Sequence, residues 1–475
     1  MAAATTALVS ASAFAAPYAS SVSVSGTNGS FVLNEAADDV TVVYDNGASS
    51  QTVNGSAAGT LSFTLPSPTS TFQIVVKKSS GAGYATVGAA PDTKTFGQAT
   101  ALQIGASIPF TSPRGVAINA NPNAGSAFGR LYVANAATGA GVFAYNADLS
   151  GALAGGSAGP SNGGIGFTFG GSSPWRLQVG ADNNVYIADY ADNNGNLFRL
   201  DKNLQALAGG TSVFQGIGGP NPLPAGQNHG NPIAFGVTGT EAAGNLRVVT
   251  LDEDYVNPAT AASPPLLAYN IGGAVPSGGY AGTPTVLANS PTVNSATSDI
   301  AITKSGKIYL TQNRTGGTDT WSLAIYSADG TQIYNSLTAA GTFQGVSTGA
   351  TDLLRTARGI AISPDESYMA IARNDGDLDI VPLLPDGTPD LARGGIIDGF
   401  TVGIARDISF DAAGNLYAMN SGDQVLRVFS PGGTTWATTA WDGSSYSFSV
   451  VPEPASLSLL GLGALGLLRR RRAVR

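Results

Sequence analysis

The sequence predicts an all-β chain: a small β-sandwich, then a six-bladed β-propeller, then a short apolar C-terminal helix that enters a membrane. Three observations carry this reading. Short runs alternating Val, Ile, Leu and Tyr with small or polar residues, punctuated by turn residues, fill most of the 475 residues, and a period of two belongs to strands rather than helices. One such unit recurs six times between Arg114 and about Thr439. The chain ends VPEPASLSLLGLGALGLLRRRRAVR, placing five of its 23 basic residues in the last seven positions.

Composition sets the bounds. At 43% hydrophobic and 11% charged, with 63 Gly and 26 Pro, the chain has apolar material for two or three cores and the turn residues of an all-β protein. The formal charge is -8, and the basic residues at the C-terminus leave the body more acidic still. No basic stripe is present, so no nucleic-acid partner is expected. Zero Cys removes disulfides, thiolate metal sites and Cys nucleophiles, and is compatible with export.

Residues 1–16 read as the apolar part of a secretory signal peptide, with Ala13-Phe14-Ala15 as an A-x-A-like cleavage site. The charged n-region is missing, which fits either a truncated start or an Ala-rich leader. Residues 20–85 carry SFVLNE, DVTVVYDNG, GTLSFTLP and TFQIVVKK, spaced by Gly, Asn and Pro-Ser turns. This set is similar to a small Ig-like sandwich of the kind found in flagellar hook-capping proteins. Gly81 to Asp92 is the expected junction.

Residues 93–445 are assigned to the propeller. First strands begin at Arg114 (RGVAI), Trp175 (WRLQV), Ile233 (IAFGV), Asp299 (DIAIT), Arg358 (RGIAI) and Arg406 (RDISF). A second strand follows each, ending at Asn135, Asp189, Asp252, Asn313, Asn374 and Asn420. Turns such as Asp182-Asn183-Asn184 and Pro364-Asp365-Glu366 join the two, so each unit opens as a hairpin. Spacings of roughly 50 to 65 residues suit four strands with extended loops, and radial repetition leaves only short sheet edges. A strand from before Arg114 is expected to close the ring. The pattern resembles NHL-repeat and SMP-30-like six-bladed propellers, the latter including gluconolactonase relatives.

The run 455–468 lacks charge; as a helix it reaches about 21 Å, short of a hydrocarbon core of roughly 30 Å. Arg469, Arg470, Arg471 and Arg472 follow at once, and snorkelling guanidiniums lengthen the span and orient it. With Pro452, Glu453 and Pro454 ahead of it, residues 451–475 resemble the PEP-CTERM sorting signal of bacterial surface proteins. That resemblance implies an exosortase partner acting near the Pro-Glu-Pro, a transient membrane anchor, and a secreted or cell-surface location in bacteria that make exopolysaccharide.

Candidate sites in the body are few. The Asn or Asp ending each second strand, Asp189, Asp252 and Asn313 among them, would serve either as oxygen ligands on a channel cation or as caps of their own strand ends through Asx turns. Recurrence in every blade favours capping, because an active site needs asymmetry. Arg114, Arg176, Arg358 and Arg406 share one position in their units. They would form a basic ring for a carboxylate or phosphate, or bond to carbonyls of neighbouring blades. Asp252-Glu253-Asp254 is the densest carboxylate group, without EF-hand spacing. His229, the one imidazole, sits in a Gly-rich stretch and is expected at the surface. No cofactor is expected, with Ca²⁺ at the acidic loop as the alternative. The reading is an exported surface protein whose propeller binds or supports, with exopolysaccharide or other envelope components as partners. The competing reading is a metal-dependent propeller hydrolase of the lactonase type.

Overall fold

A computed structural model describes residues 17–79, 97–102, 112–136, 141–153, 173–191, 195–216, 229–252, 265–288, 298–313, 321–339, 342–343, 346–347, 354, 356–397, 404–422, 424–430 and 434–452. The signal-peptide region, Glu253, Glu453, Pro454, the helix 455–468 and Arg469 to Arg472 lie outside them. Among the described residues no helix is long and apolar enough to cross a membrane.

Six antiparallel sheets follow one another along the chain and surround a channel. Blades 3, 4 and 5 are four-stranded, each ordered as in the sequence; blade 3, for example, runs Pro232–Thr238, Leu246–Asp252, Leu266–Gly272, Thr285–Ala288. Blades 1 and 2 have three regular strands each, with outer edges extended by single bridges, Tyr145 to Gly151 and Phe198 to Ser212. In blade 6 the fourth strand comes from the other end of the ring: Gly97–Leu102 pairs with Val425–Ser430. This is the closing strand expected from the sequence. Second strands such as Leu131–Asn135 and Val185–Asp189 are buried at every position, because neighbouring blades cover both faces.

The sandwich differs from the expected span. Its sheets are Ala19–Ser25, Asn28–Leu33 and Gly59–Thr64 on one side, and Tyr446–Pro452, Thr434–Trp441, Phe72–Ser79, Asp39–Tyr44 and Ser49–Val53 on the other. They share one core that includes Phe31, Leu33, Phe63, Val40, Val42 and Ile74. Strand Asp39–Tyr44 shows why: Val40, Val42 and Tyr44 are buried while Asp39 is exposed, the period-two signature of a sheet with one wet face.

Two of these strands lie beyond the propeller in sequence. The expected propeller limit at 445 therefore falls inside the sandwich, and the propeller is an insertion between two paired sandwich strands. Ser79, where the chain leaves, pairs with Thr434, just after it returns. Gly97 and Ser430, the ends of the propeller, also pair with each other. An inserted domain needs its two ends adjacent, and here two ladders in succession meet that need.

The two units share a small apolar joint. Tyr18 and Phe448 from the sandwich meet Phe128 from blade 1, with ring centroids 5.4 to 5.6 Å apart in all three pairs. Ser21 N donates to Phe128 O at 2.9 Å. Gly129, at φ +78°, keeps this joint close: a Cβ there would lie 2.6 Å from Ser20 Cβ.

Candidate functional site

The first strands of all six blades line the channel. Along it Val116, Leu177, Phe235, Ile300, Ile360 and Ile408, together with Asp299 and Asp407, line a cavity of about 190 Å³. At the end where these strands begin, charge takes over.

The arginines are placed there by a repeated irregularity. In blade 1 Pro113 pairs with Asn135 and Gly115 with Ala134, so Arg114 is an extra, unpaired residue. Arg358 stands in the same relation between Ala357 and Gly359, and Arg406 between Ala405 and Asp407. A bulge of this kind redirects its side chain away from the ladder. The guanidinium carbons of Arg114, Arg406 and Arg176 lie 4.9, 5.6 and 5.9 Å from the centre of the Trp175 indole, within cation–π range.

Arg176 spans the ring. From blade 2 its Nε and Nη2 donate to Ser298 O of blade 4 at 3.2 and 3.1 Å, Nη2 donates to Arg358 O of blade 5 at 2.8 Å, and Nη1 donates to Arg406 O of blade 6 at 2.5 Å. Nη1 also pairs with Asp407 at 3.1 Å, and Nε lies 3.8 Å from Asp299. With 2% of its surface exposed, it is a hub between opposite walls.

Asp299 and Asp407 clasp adjacent blades. Asp299 Oδ2 accepts from Ile360 N and Asp407 Oδ2 from Val116 N, both at 2.9 Å. Gly359 makes room for the neighbouring strand: a Cβ there would sit 2.9 Å from Asp407 Cα. Burial raises both carboxyl groups above the usual carboxylate range, opposed by Arg176. Burial, then the guanidiniums of Arg176 and Arg114, pushes Arg358 down to about 10. Burial, then Arg114, Arg358 and Arg176, pushes Arg406 down to about 9. At neutral pH four guanidiniums thus face at most two carboxylates.

Four of the six residues read as ending the second strands have local partners, whereas Asn313 Oδ1 and Asn374 Oδ1 are buried without one among the described residues. Asn135 Oδ1 accepts from Ser112 N, Asp189 Oδ1 from Ala191 N, Asp252 Oδ2 from Gly230 N, and Asn420 Oδ1 from Gly422 N. In blades 4 and 5 the ladder position is held by Gln312, paired with Ser298, and Arg373, paired with Ala357. Asn313 and Asn374 lie one residue beyond it, so the pattern read as sixfold is fourfold in register.

His229 is fully buried rather than exposed: its Nδ1 lies 2.8 Å from Gly230 O and its ring packs on Phe214. Burial lowers its pKa. Among the described residues no three His, Cys, Asp or Glu side chains gather as metal ligands. Sequence reasoning assigned no site role to Trp175, Asp299 or Asp407. The signal for the two aspartates was present as an Asp inside an apolar run, SDIAI and RDISF, next to the position that holds arginine in RGVAI, RGIAI and RDISF.

No curated protein matches the chain in sequence. Solved structures similar to it include a protein of unknown function from Bacteroides thetaiotaomicron (14% identity, TM-score 0.43, 87% of this chain and 98% of that one). A gluconolactonase from Xanthomonas campestris follows (13%, 0.38, 68% and 86%), as does the soluble aldose sugar dehydrogenase of Escherichia coli (14%, 0.40, 67% and 96%). Residues 450–472 match the PEP-CTERM protein-sorting motif, which marks the chain as an exported cell-surface protein subject to exosortase-dependent processing.

Proposed function

We propose that the propeller is a binding module presented at the cell surface by the sandwich, and not a hydrolase. The observation that supports this most is the make-up of the channel mouth, where arginine side chains from blades 1, 2 and 6 gather around one indole. A metal-dependent lactonase needs carboxylate and amide oxygens converging on a cation that polarises a carbonyl or activates water. Here four of the six recurring Asn and Asp residues accept from nearby backbone N–H groups instead.

The sorting motif fits the presenting role. Pro452, first residue of Pro-Glu-Pro, still pairs with Thr435 at the edge of the larger sandwich sheet, so the motif leaves the sandwich without a linker. In this reading exosortase meets a folded sandwich beside the membrane, with the propeller carried on it. The natural partners are exopolysaccharide or other envelope components.

The test measures binding and catalysis on the same purified protein. Co-sedimentation with polymer extracted from the producing organism, no turnover of sugar lactones, and a melting temperature unchanged by EDTA are expected. Lactone hydrolysis that EDTA abolishes and Ca²⁺ or Zn²⁺ restores, with a parallel recovery of melting temperature, would overturn the binding-module reading.

A further inference from the structure

The charge balance at the channel mouth has a chemical consequence. Arg176 is saturated by carbonyls and carboxylates, but its neighbours are not. Among the described residues neither the Arg114 nor the Arg358 guanidinium has a hydrogen-bond or ion-pair partner, and the Nε of each is buried without one. Arg406 has only its Nε engaged, to Ser421 Oγ at 2.8 Å. Arg358 is 8% exposed, a degree of burial at which a guanidinium ordinarily finds an acceptor.

The Trp175 face supplies part of the compensation, since Arg114 and Arg406 both lie over it. It supplies no acceptor oxygens. Asp299 and Asp407 do not reach the outer guanidiniums either: they bond to each other, to Arg176 and to the backbone N–H groups of Val116, Ile300, Ile360 and Ile408. Three bulges aim Arg114, Arg358 and Arg406 at one place, where their like charges repel one another.

We propose that the mouth of the channel binds an oxyanion, a carboxylate or phosphate group borne by the ligand, between Arg114, Arg358 and Arg406, with Arg176 as its fixed floor. This rests on the binding-module reading and gives that module a ligand class. Guanidiniums present paired N–H donors that match carboxylate and phosphate oxygens. A neutral sugar would leave the excess positive charge uncompensated and is excluded as the anchoring group. Half-buried Arg114 and Arg406 form the accessible rim, and buried Arg358 the inner wall.

The experiment is calorimetric titration of the full-length purified protein with sodium glucuronate, inorganic phosphate and, as the neutral counterpart, glucose. Glucuronate, phosphate or both should bind, at least tenfold more weakly in 500 mM than in 50 mM NaCl, and glucose should not. Whichever of the two binds more tightly identifies the preferred oxyanion. Arg114→Gln and Arg358→Gln should each lower the affinity about tenfold while melting no lower than the parent, because neither guanidinium gives up a hydrogen bond or ion pair among the described residues. Absence of binding by both anions at 20 mM, or unchanged affinity in both variants, overturns the site. If polymer co-sedimentation persists in a protein that binds neither anion, the site fails and the binding module stands. Metal-dependent lactone turnover would instead sink the module.

Discussion

Replacing Arg176 by alanine tests how the ring is held shut. The side chain joins blade 2 to blades 4, 5 and 6 through four hydrogen bonds to carbonyl oxygens and two contacts to buried carboxylates. Its loss leaves Asp299 and Asp407 without their cation. Removing one partner of a buried charge pair costs about 3–5 kcal/mol. Proton uptake by the aspartates and water at the freed carbonyls recover part of the loss, so on the order of 4 kcal/mol is expected. The propeller spans roughly 330 residues between Gly97 and Ser430, and at about 2.1 cal/mol/K per residue its unfolding entropy is about 0.7 kcal/mol/K. The substitution should therefore lower the melting temperature by about 6 °C in differential scanning calorimetry, nearly independently of salt. Arg114→Ala, one register position earlier in the first strand of another blade, removes no hydrogen bond and relieves repulsion, so it should shift the transition by less than about 2 °C. Equal losses from both substitutions, or an unchanged transition in Arg176→Ala, would refute the hub.

Two further outcomes follow from the same geometry. Thr100→Pro/Ala101→Pro removes two N–H groups from the closing strand, whose residues face Val428 and Arg427. It should lower the melting temperature by several degrees and expose blade 6 to hydrogen exchange first, whereas protection of Val425–Ser430 equal to the parent's would dismiss the closure. Stability should also rise as pH falls from 8 to 5. Burial pushes Asp379 and Asp411 up to about 7 from 3.8, and Asp299 and Asp407 upward too, so the folded state holds more protons than the unfolded state between those limits. His229, lowered by burial, opposes this below its unfolded value of 6.5 but is one group against four. A melting temperature that falls monotonically from pH 8 to 5 would contradict these assignments.

The blades were legible because each is written in one contiguous stretch. Val185–Asp189 and Ile308–Gln312 alternate locally, and the turns that pair them lie within a few residues. The sandwich was only half legible for the opposite reason. Thr434–Trp441 pairs with Phe72–Ser79, hundreds of residues away, and nothing within TTWATTAW distinguishes that partner from the adjacent blade.

The channel mouth was partly visible. The shared arginine position could be read from RGVAI, RGIAI and RDISF, but not the bulges that turn those side chains out of their ladders, since a bulge is a property of two strands. Nor could the sequence separate Arg176, which reaches three blades, from Arg114, which bonds to none among the described residues. The one-residue offset at Asn313 and Asn374 has the same origin: register belongs to the pair, and a slip of one is invisible in either strand alone. His229 is buried although its neighbours are Gly, Asn and Pro, because Phe214 covers its ring.

The central claim is that a sandwich interrupted by a binding propeller is delivered to the surface by the motif that continues its last strand. Intact-mass measurement of the protein released from the surface of its native host tests this most directly. The account predicts a C-terminus at or near Pro454, with Arg469 to Arg472 gone and strand Tyr446–Pro452 retained to support the joint through Phe448. A surface form that keeps Arg475, or one cut ahead of Tyr446, would contradict it.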